Sequence, residues 1–385
     1  MPAQRKPGAA ESPPPWRDIG ADSSVIVGVS GGVDSAVSLT LLKQAGFSVR
    51  AVFMKNWEED DDENYCAAAE DLEDARRVCE RLGVTLHTVN LSAEYWDNVF
   101  SRFLEVYRRG ETPNPDVLCN REIKFRAFLD FATDLGADVI ATGHYARIEA
   151  SNGRYRLLKG RDQLKDQSYF LCLLHQSQLE RAVFPLGALA KGEVRQLARR
   201  FGLHNHARKD STGVCFIGER PFKSFLERYI PRNPGPILSV EGHRLGSHDG
   251  LMFYTIGQRQ GLGIGGRRHG DGSAWYVAAK DSQRNALLVA QGREHPALYA
   301  DSLEAGEVHW ISGFPPALPL RCQAKIRFRQ PEQACSVEPA FGGRVLVRFR
   351  QAQWAAAPGQ TVAFYSGEEC LGGATICKAP AGRSV

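Results

Sequence analysis

The pattern of apolar and polar positions divides the chain into stretches of different periodicity. From Ser24 onward, short apolar runs alternate with helical ones. Val25 to Val29 reads as a buried strand, and after a Ser-Gly-Gly turn the residues Ala36, Val37, Leu39, Thr40, Leu41 and Leu42 predict a helix closed by Gly46. Val49 to Met54 predicts the next strand, followed by an acidic loop from Glu58 to Glu63 that is expected to face solvent. A helix with Leu72, Ala75, Val78, Cys79 and Leu82 on one side leads into a strand over Val84 to Val89. Then come a helix near Glu94 to Arg108, a Pro-rich loop from Glu111 to Leu118, a helix from Glu122 to Leu135 and a strand over Val139 to Ala141. Strands interleaved with helices predict an α/β domain with a mostly parallel sheet, whose ligands gather at the carboxyl ends of the strands.

Past Leu186 a helical segment from Glu193 to Phe201 ends at Gly202 and leads to a loop around Ser211 to Gly218. From about Pro221 to Gly292 the chain is rich in Gly and Pro with short strands such as Trp275 to Ala279 and Leu287 to Ala290, which predicts a small β-rich central domain. The remainder alternates plainly: Ala324, Ile326 and Phe328 on one side, Lys325, Arg327 and Arg329 on the other, then Val345 to Phe349 and Thr361 to Phe364. A C-terminal antiparallel β-barrel is expected, with three cations on one strand face that read either as a phosphate-binding edge or as an ordinary solvated face. The expected division is a disordered tail over 1–21, the α/β domain over 22–220, the central domain over 221–292 and the barrel over 293–385.

Composition narrows the setting. No apolar run approaches the 18 to 20 residues of a membrane span, so none is expected. The net charge of +4 gives only mild support for a polyanionic partner, so the placement of the arginines matters more than their sum. Nine cysteines in a long chain, an odd number with no signal peptide before them, point to a reducing cytoplasm rather than a disulfide scaffold. None has zinc-site spacing, and no structural metal is expected. With no coiled-coil pattern, a monomer is expected.

The segment Ser30-Gly31-Gly32-Val33-Asp34-Ser35 lies between a predicted strand and a predicted helix. There, backbone N–H groups converge on anionic oxygens, the glycines allow close approach, Ser30 and Ser35 add donors, and the helix start supplies partial positive charge. The lysine of a Walker A loop is missing, as is the three-glycine spacing of a dinucleotide fingerprint. Asp34 reads as an orienting group or a magnesium ligand, because a carboxylate aimed at phosphate repels it.

Two cysteines carry a second chemistry. Cys119 follows the rigid Pro113-Asn-Pro-Asp-Val-Leu loop and is expected just before a helix beginning near Asn120, where the helix charge, Arg121 and Lys124 favour a thiolate. Cys215 lies in Gly213-Val-Cys-Phe-Ile-Gly, flanked by Arg208 and Lys209. Local pattern alone is evenly balanced between reactive and buried thiols. Asp116, three positions before Cys119, reads either as an acid/base group or as a turn or helix cap.

Seven strings in order give a family resemblance: Gly28-Val-Ser-Gly-Gly-Val-Asp-Ser35, Phe53-Met-Lys-Asn-Trp57, Thr112-Pro-Asn-Pro-Asp-Val-Leu-Cys-Asn-Arg-Glu-Ile-Lys-Phe125, Ala141-Thr-Gly-His-Tyr-Ala-Arg147, Lys165-Asp-Gln-Ser-Tyr-Phe170, Asp210-Ser-Thr-Gly-Val-Cys-Phe-Ile-Gly-Glu219 and Thr255-Ile-Gly-Gln-Arg259. The chain resembles the PP-loop ATP pyrophosphatases and, within them, the tRNA-specific 2-thiouridylase family of the MnmA/TrmU type. That resemblance implies an enzyme that adenylates the 2-oxygen of wobble uridine 34 in tRNA(Lys), tRNA(Glu) and tRNA(Gln), then replaces it with sulfur from a cysteine persulfide. It implies ATP as co-substrate with Mg2+, and a persulfide sulfur-donor or relay protein as partner.

The resemblance also implies residue roles. Gly28, Val29, Ser30, Gly31, Gly32, Val33, Asp34 and Ser35 would contact ATP phosphates, and Met54 and Gly143 the adenosine. Cys119 would be the nucleophile and Cys215 the persulfide carrier, with either free sulfide or the persulfide itself attacking the activated carbon. Asn114, Pro115 and Asp116 would meet the target uridine, and His144, Lys165, Asp166, Gln167, Arg327, Phe328 and Gln360 the tRNA. For His144 a hydrogen-bonded structural role is the rival reading. A small-substrate PP-loop ligase would need neither Cys119 and Cys215 nor a basic C-terminal face, and a non-catalytic RNA binder would have no chemical use for the two cysteines.

Overall fold

The computed structural model describes residues 16, 19–58, 68–209, 222–264 and 272–380. Most of the expected tail, most of the acidic loop and the segment holding Cys215 lie outside the described residues. Contacts divide the chain into two units. One is drawn from Met1–Leu91, Phe125–Ser168 and Gln176–Ser211; the other is drawn from Ser92–Lys124, Tyr169–His175 and Thr212–Val385.

In the first unit, β1 (Ser24–Val29), β2 (Ser48–Lys55), β3 (Leu86–Asn90), β4 (Val139–Ala141) and, farther along the chain, Ala182–Val183 form a five-stranded parallel sheet. β1 is central, with Val27 opposite Ala51 of β2 on one side and Ala141 of β4 on the other. Val25, Ile26 and Val27 are fully buried, which is why the strand reads as an unbroken apolar run. The chain steps outward from β1 through β2 to β3, then crosses to β4 on the opposite side. Loops after β1 and β4 therefore leave the sheet as neighbours, the place where open α/β sheets form ligand crevices. β5 (Ala146–Ser151) and β6 (Arg154–Lys159) form a hairpin.

α1 (Val33–Gln44) is buried over most of its surface, and its hidden hydroxyls are satisfied locally: Ser38 donates to the Asp34 carbonyl at 2.9 Å and Thr40 to that of Ala36 at 2.8 Å. α2 (Ala69–Leu82) buries only Ala75, Val78 and Cys79, the amphipathic stripe expected of a surface helix. Its end explains why β3 starts later than predicted. Gly83 takes a left-handed φ of 58°, and the Val84 N–H donates to the Cys79 carbonyl at 2.9 Å, so Val84 belongs to the helix cap.

In the second unit the helix predicted near Glu94 to Arg108 begins at Ser92 and carries a π-helical stretch over Trp96–Phe100 before Ser101–Arg108. Following the hairpin strands and the short β7 (Ala182–Val183), the strands β8 (Gly235–Ser239), β9 (Arg244–His248), β10 (Trp275–Asp281) and β11 (Ala286–Gln291) make a small mixed sheet in the order β10-β11-β8-β9. β12 (Tyr299–Trp310), β13 (Leu320–Lys325), β14 (Gln333–Pro339), β15 (Val345–Trp354), β16 (Thr361–Ser366) and β17 (Glu369–Lys378) pair antiparallel in the order β12-β15-β14-β13-β16-β17. Pairing of β17 with β12 closes the barrel around Leu303, Val337, Val347, Phe364 and Ile376. The parallel sheet and the antiparallel barrel are as expected, and the region expected only to be β-rich is a small mixed sheet.

One expectation about the barrel is corrected. β13 ends at Lys325, and residues 326–330 form a turn, so Lys325, Arg327 and Arg329 do not share a strand face. The Lys325 side chain is largely buried, with its ammonium 3.5 Å from Glu332 and over the Tyr365 ring. A cation satisfied by a nearby carboxylate inside the fold offers little to phosphate.

Candidate active site

The first unit builds an anion-receiving loop. β1 stops at Val29 and α1 starts at Val33, with Gly32 extended at the helix N-cap and no side-chain cap on the first-turn N–H groups. The partial positive charge of the helix start is thus left for a ligand. Gly31 sits at φ 72°, and a Cβ there would lie 2.5 Å from the Asp71 carbonyl oxygen, so only glycine lets the loop pass α2. Ser35 Oγ donates to the Gly32 carbonyl at 3.1 Å and accepts from the Ser30 N–H at 3.2 Å, which pins both ends of the loop. Buried Asn205 donates to the Gly31 carbonyl at 2.8 Å.

Asp34 is held by partners within the protein. Its carboxylate receives Lys191 Nζ at 2.7 and 2.8 Å and the Tyr145 hydroxyl at 2.8 Å, the setting of an orienting group. Gly143, in the loop after β4, comes so close that an added Cβ would stand 3.0 Å from Asp34 C and Ser35 N. Met54 at the end of β2 covers Gly28, with its Cε 3.2 Å from where a Cβ would be. The structure thus draws Gly28, Met54, Gly143 and the Ser30–Ser35 loop to the carboxyl ends of β1, β2 and β4.

Four tRNA candidates, His144, Lys165, Asp166 and Gln167, belong to the same unit, and the Lys165 N–H donates to the Asp162 carbonyl at 3.0 Å. The Asp166 carboxylate is buried and accepts from the Gly160 N–H at 2.9 Å, the Ser168 N–H at 3.1 Å and the Ser168 hydroxyl at 2.9 Å, a turn-fixing role. Gln167 Oε1 accepts from the Tyr145 N–H at 3.0 Å while the Gln167 N–H donates to the Tyr145 carbonyl at 2.8 Å. His144 is buried, with Nδ1 2.7 Å from Thr142 Oγ1 and its ring between Phe125 and Phe184 at 5.7 and 5.8 Å, which fits the structural rival reading of that residue. A path of direct bonds therefore runs from Gln167 through Tyr145 to Asp34.

The second unit holds the thiol candidate. Helix begins earlier than expected, at Pro115, and Cys119 opens a π-helical stretch, Cys119–Ala127, one turn further on. Proline is favoured at the first helical position because the missing N–H would be unbonded there anyway, and this moves the helix start ahead of the cysteine. Cys119 is buried at 2% exposure. Arg121, expected to support a thiolate, has its Nε 2.7 Å from the Glu122 carboxylate. Asp116 is half-buried, and burial pushes its carboxyl above the ordinary range against the opposing pull of Lys124. Cys215 lies outside the described residues.

Around that helix the second unit collects other candidates. Gln360 Nε2 donates to the Thr112 and Pro113 carbonyls, each at 3.0 Å, and so holds the loop that leads to Asn114 and Pro115. Asn114 Nδ2 is 3.5 Å from the hydroxyl of fully buried Tyr169, which donates to the Thr361 carbonyl at 2.8 Å. The Phe328 ring lies 4.4 Å from that of Phe170. Arg327 donates to the carbonyls of Ile256 at 2.7 Å and Ala355 at 3.0 Å, so its guanidinium organises backbone.

Sequence reasoning did not single out Lys191, Tyr145, Asn205 or Tyr169. Tyr145 and Tyr169 stand inside strings that it quoted. Lys191 and Asn205 have no signal in local spacing, since each acts on a residue more than 150 positions away.

Residues 23–219 match the family described as tRNA methyl transferase HUP domain, residues 223–291 that described as tRNA methyl transferase PRC-barrel domain, and residues 300–376 that described as Aminomethyltransferase beta-barrel domain. The chain is 59% identical over 353 residues to tRNA-specific 2-thiouridylase MnmA of Sodalis glossinidius (strain morsitans), covering 91% of this chain and 96% of that protein. It is 59% identical over 354 residues to the protein of the same name from Methylococcus capsulatus (strain ATCC 33009 / NCIMB 11132 / Bath), covering 91% and 95%. With that of Yersinia pestis (strain Pestoides F) it shares 56% identity over 357 residues, 92% of this chain and 96% of the other.

Proposed function

Because the chain belongs to the tRNA-specific 2-thiouridylase family, we propose that its two units divide a single reaction, activating a uridine oxygen in one and handling the incoming sulfur with Cys119 of the other. The enzyme is an ATP-dependent tRNA sulfurtransferase. The uridine 2-oxygen attacks the α-phosphorus of ATP, the bond to pyrophosphate breaks, and the oxygen leaves later as part of AMP when sulfur takes its place on carbon. The observation that carries this reading is the uncapped start of α1 behind a glycine loop, with Asp34 turned toward Lys191 and Tyr145. Such a loop receives phosphate oxygens on backbone N–H groups without a repelling carboxylate. Magnesium bound with ATP would offset the charge of the departing pyrophosphate, while the Ser30–Ser35 loop holds the phosphate oxygens.

In this reading the loop Ser30–Ser35 holds the phosphates, and Gly28, Met54 and Gly143 bound the adenosine. Cys119 and Asp116 face the target base, Cys215 carries the persulfide, Asn114, Pro115, Lys165, Gln167, Phe328 and Gln360 line the tRNA path, and buried His144 supports that path through the residues it packs against. Asp166 and Arg327 act on that path through the turns they fix. Residues 22–220 serve as the catalytic region, 221–292 as a central domain and 293–385 as a barrel that helps to hold tRNA. Wobble uridine 34 of tRNA(Lys), tRNA(Glu) and tRNA(Gln) is the proposed target, a persulfide-bearing protein the donor, and a monomer in the cytoplasm the working state. No described helix is long and apolar enough to cross a membrane.

Purified protein incubated with ATP, Mg2+, a persulfide source and unmodified tRNA is expected to release AMP and pyrophosphate and to yield tRNA in which one uridine oxygen is replaced by sulfur, read by nucleoside mass spectrometry. Folded protein that forms neither AMP nor a thiolated uridine would overturn the proposal.

A further inference from the structure

Three strands of the barrel present arginines in one place. In β13, β14 and β15, Arg321 stands opposite Ser336, and Ser336 opposite Arg348. Side chains alternate between faces along a strand. Cys335, Val337, Val347 and Phe349 are buried in the barrel core, so Ser336, Arg348 and Arg350 face outward. Arg321 and Gln323 flank Cys322, which packs against the same core, and face outward too. Between these side chains lies a cavity of about 710 Å³, lined by Arg321, Gln323, Ser336, Arg348, Arg350 and Tyr365 among others, with no aspartate or glutamate in its lining.

The cations of this groove are available in a way that Lys325 and Arg327 are not. No carboxylate pairs with Arg321 or Arg350 among the described residues. Arg348 has Glu338 at 3.2 Å, but the arginine side chain is 57% exposed, and ion pairs in such settings contribute little. Strand spacing sets Arg321 and Arg348 on the order of 10 Å apart across Ser336, with Arg350 about 7 Å farther along β15. The Ser336 hydroxyl donates to Glu338 at 3.1 Å, so the groove offers an anionic ligand its three planar forked donors and Gln323, a set that suits repeated anionic oxygens.

We propose that this outer groove of the barrel binds the phosphodiester backbone of the substrate tRNA through Arg321, Arg348 and Arg350. The inference rests on the tRNA reading given above and adds a contact surface separate from Arg327, Phe328 and Gln360. It sets affinity and register without reading sequence, as phosphate contacts do.

The test uses the full-length chain with Arg321, Arg348 and Arg350 all replaced by Gln, beside the matching triple Lys variant. Kd for unmodified full-length substrate tRNA is measured by fluorescence anisotropy between 50 and 200 mM salt. The Gln variant is expected to bind about tenfold or more weakly, with the slope of log Kd on log salt reduced by about 2, since three lost contacts each account for roughly 0.7 to 0.9. The Lys variant should recover the slope, and the loss in thiolation should fall on KM for tRNA rather than on kcat. Thermal melting verifies that both variants fold. A folded Gln variant with wild-type Kd and slope would overturn the groove, including the case in which it instead loses affinity for a protein partner. Failure of the thiouridylase reading is a separate result, namely wild-type protein that produces no thiolated uridine, and the Kd comparison decides the groove even then.

Discussion

At the scale of single residues, Asp116 joins stability to chemistry. In the unfolded chain its carboxyl ionises near pH 4. In the fold, burial disfavours the charged form more than Lys124 favours it, so the folded group ionises at higher pH. Its contribution to stability is therefore fully present below the ordinary carboxylate value and is lost as pH rises through the raised one. Asp116→Asn removes that loss, so the variant should melt above wild type at pH 7, with the gap closing as pH falls toward 4. Its thiolation rate at saturating tRNA should drop by about 10²- to 10⁴-fold, the range for a lost acid/base group. Equal melting temperatures across the whole range would overturn the raised carboxyl, and unchanged thiolation would remove Asp116 from the chemistry. The position was legible beforehand because Asp116 and Cys119 share one short string. Lys191 was not, because its bond to Asp34 spans 157 positions and exists only once the sheet has assembled.

At the scale of elements, runs that are buried on both faces were the easiest to read. β1 and β4 match the apolar runs to within a residue because parallel strands covered by helices are continuously apolar, and β2 matches through its buried centre Ala51–Phe53 despite Arg50. Helix starts were harder. Apolar periodicity marks the middle of a helix, whereas Pro115 and the π-helical stretches over Trp96–Phe100 and Cys119–Ala127 decide where turns begin and how they advance. The passage from β1 into α1 depends on a further local requirement. Gly31 holds a left-handed φ and touches the α2 backbone at once, so Gly31→Ala meets both a conformational penalty and a clash. The variant should lose about 1–3 kcal/mol of stability. Because the strain falls on the phosphate loop, KM for ATP in the AMP-release assay should rise by about tenfold or more. A variant with unchanged melting temperature and unchanged KM would show that the loop tolerates a Cβ, contrary to the geometry.

At the scale of the whole molecule, three periodicities along the sequence corresponded to three sheet architectures. The assembly of the second unit from Ser92–Lys124, Tyr169–His175 and the C-terminal half was not legible, since it depends on contacts between distant segments such as that of Gln360 with the Thr112 and Pro113 carbonyls. That assembly puts Cys119 in a different unit from the phosphate loop, although one contiguous stretch of sequence contains both. Activation and sulfur delivery should therefore be separable by mutation. Cys215→Ser leaves the phosphate loop, Asp34 and Lys191 untouched, so tRNA-dependent consumption of ATP with release of pyrophosphate should persist at least for a first turnover. Thiolated uridine should be absent with a persulfide donor, because the persulfide carrier is gone. Cys119→Ser should also abolish thiolation from a persulfide. Supplying free sulfide then distinguishes the two open routes: restored product means that Cys119 serves to liberate sulfide, and continued failure means that its thiol takes part at the activated carbon or in shaping the site. Wild-type transfer by Cys215→Ser from a persulfide source would end the two-thiol relay, while pyrophosphate release would still report on the loop at β1 and α1.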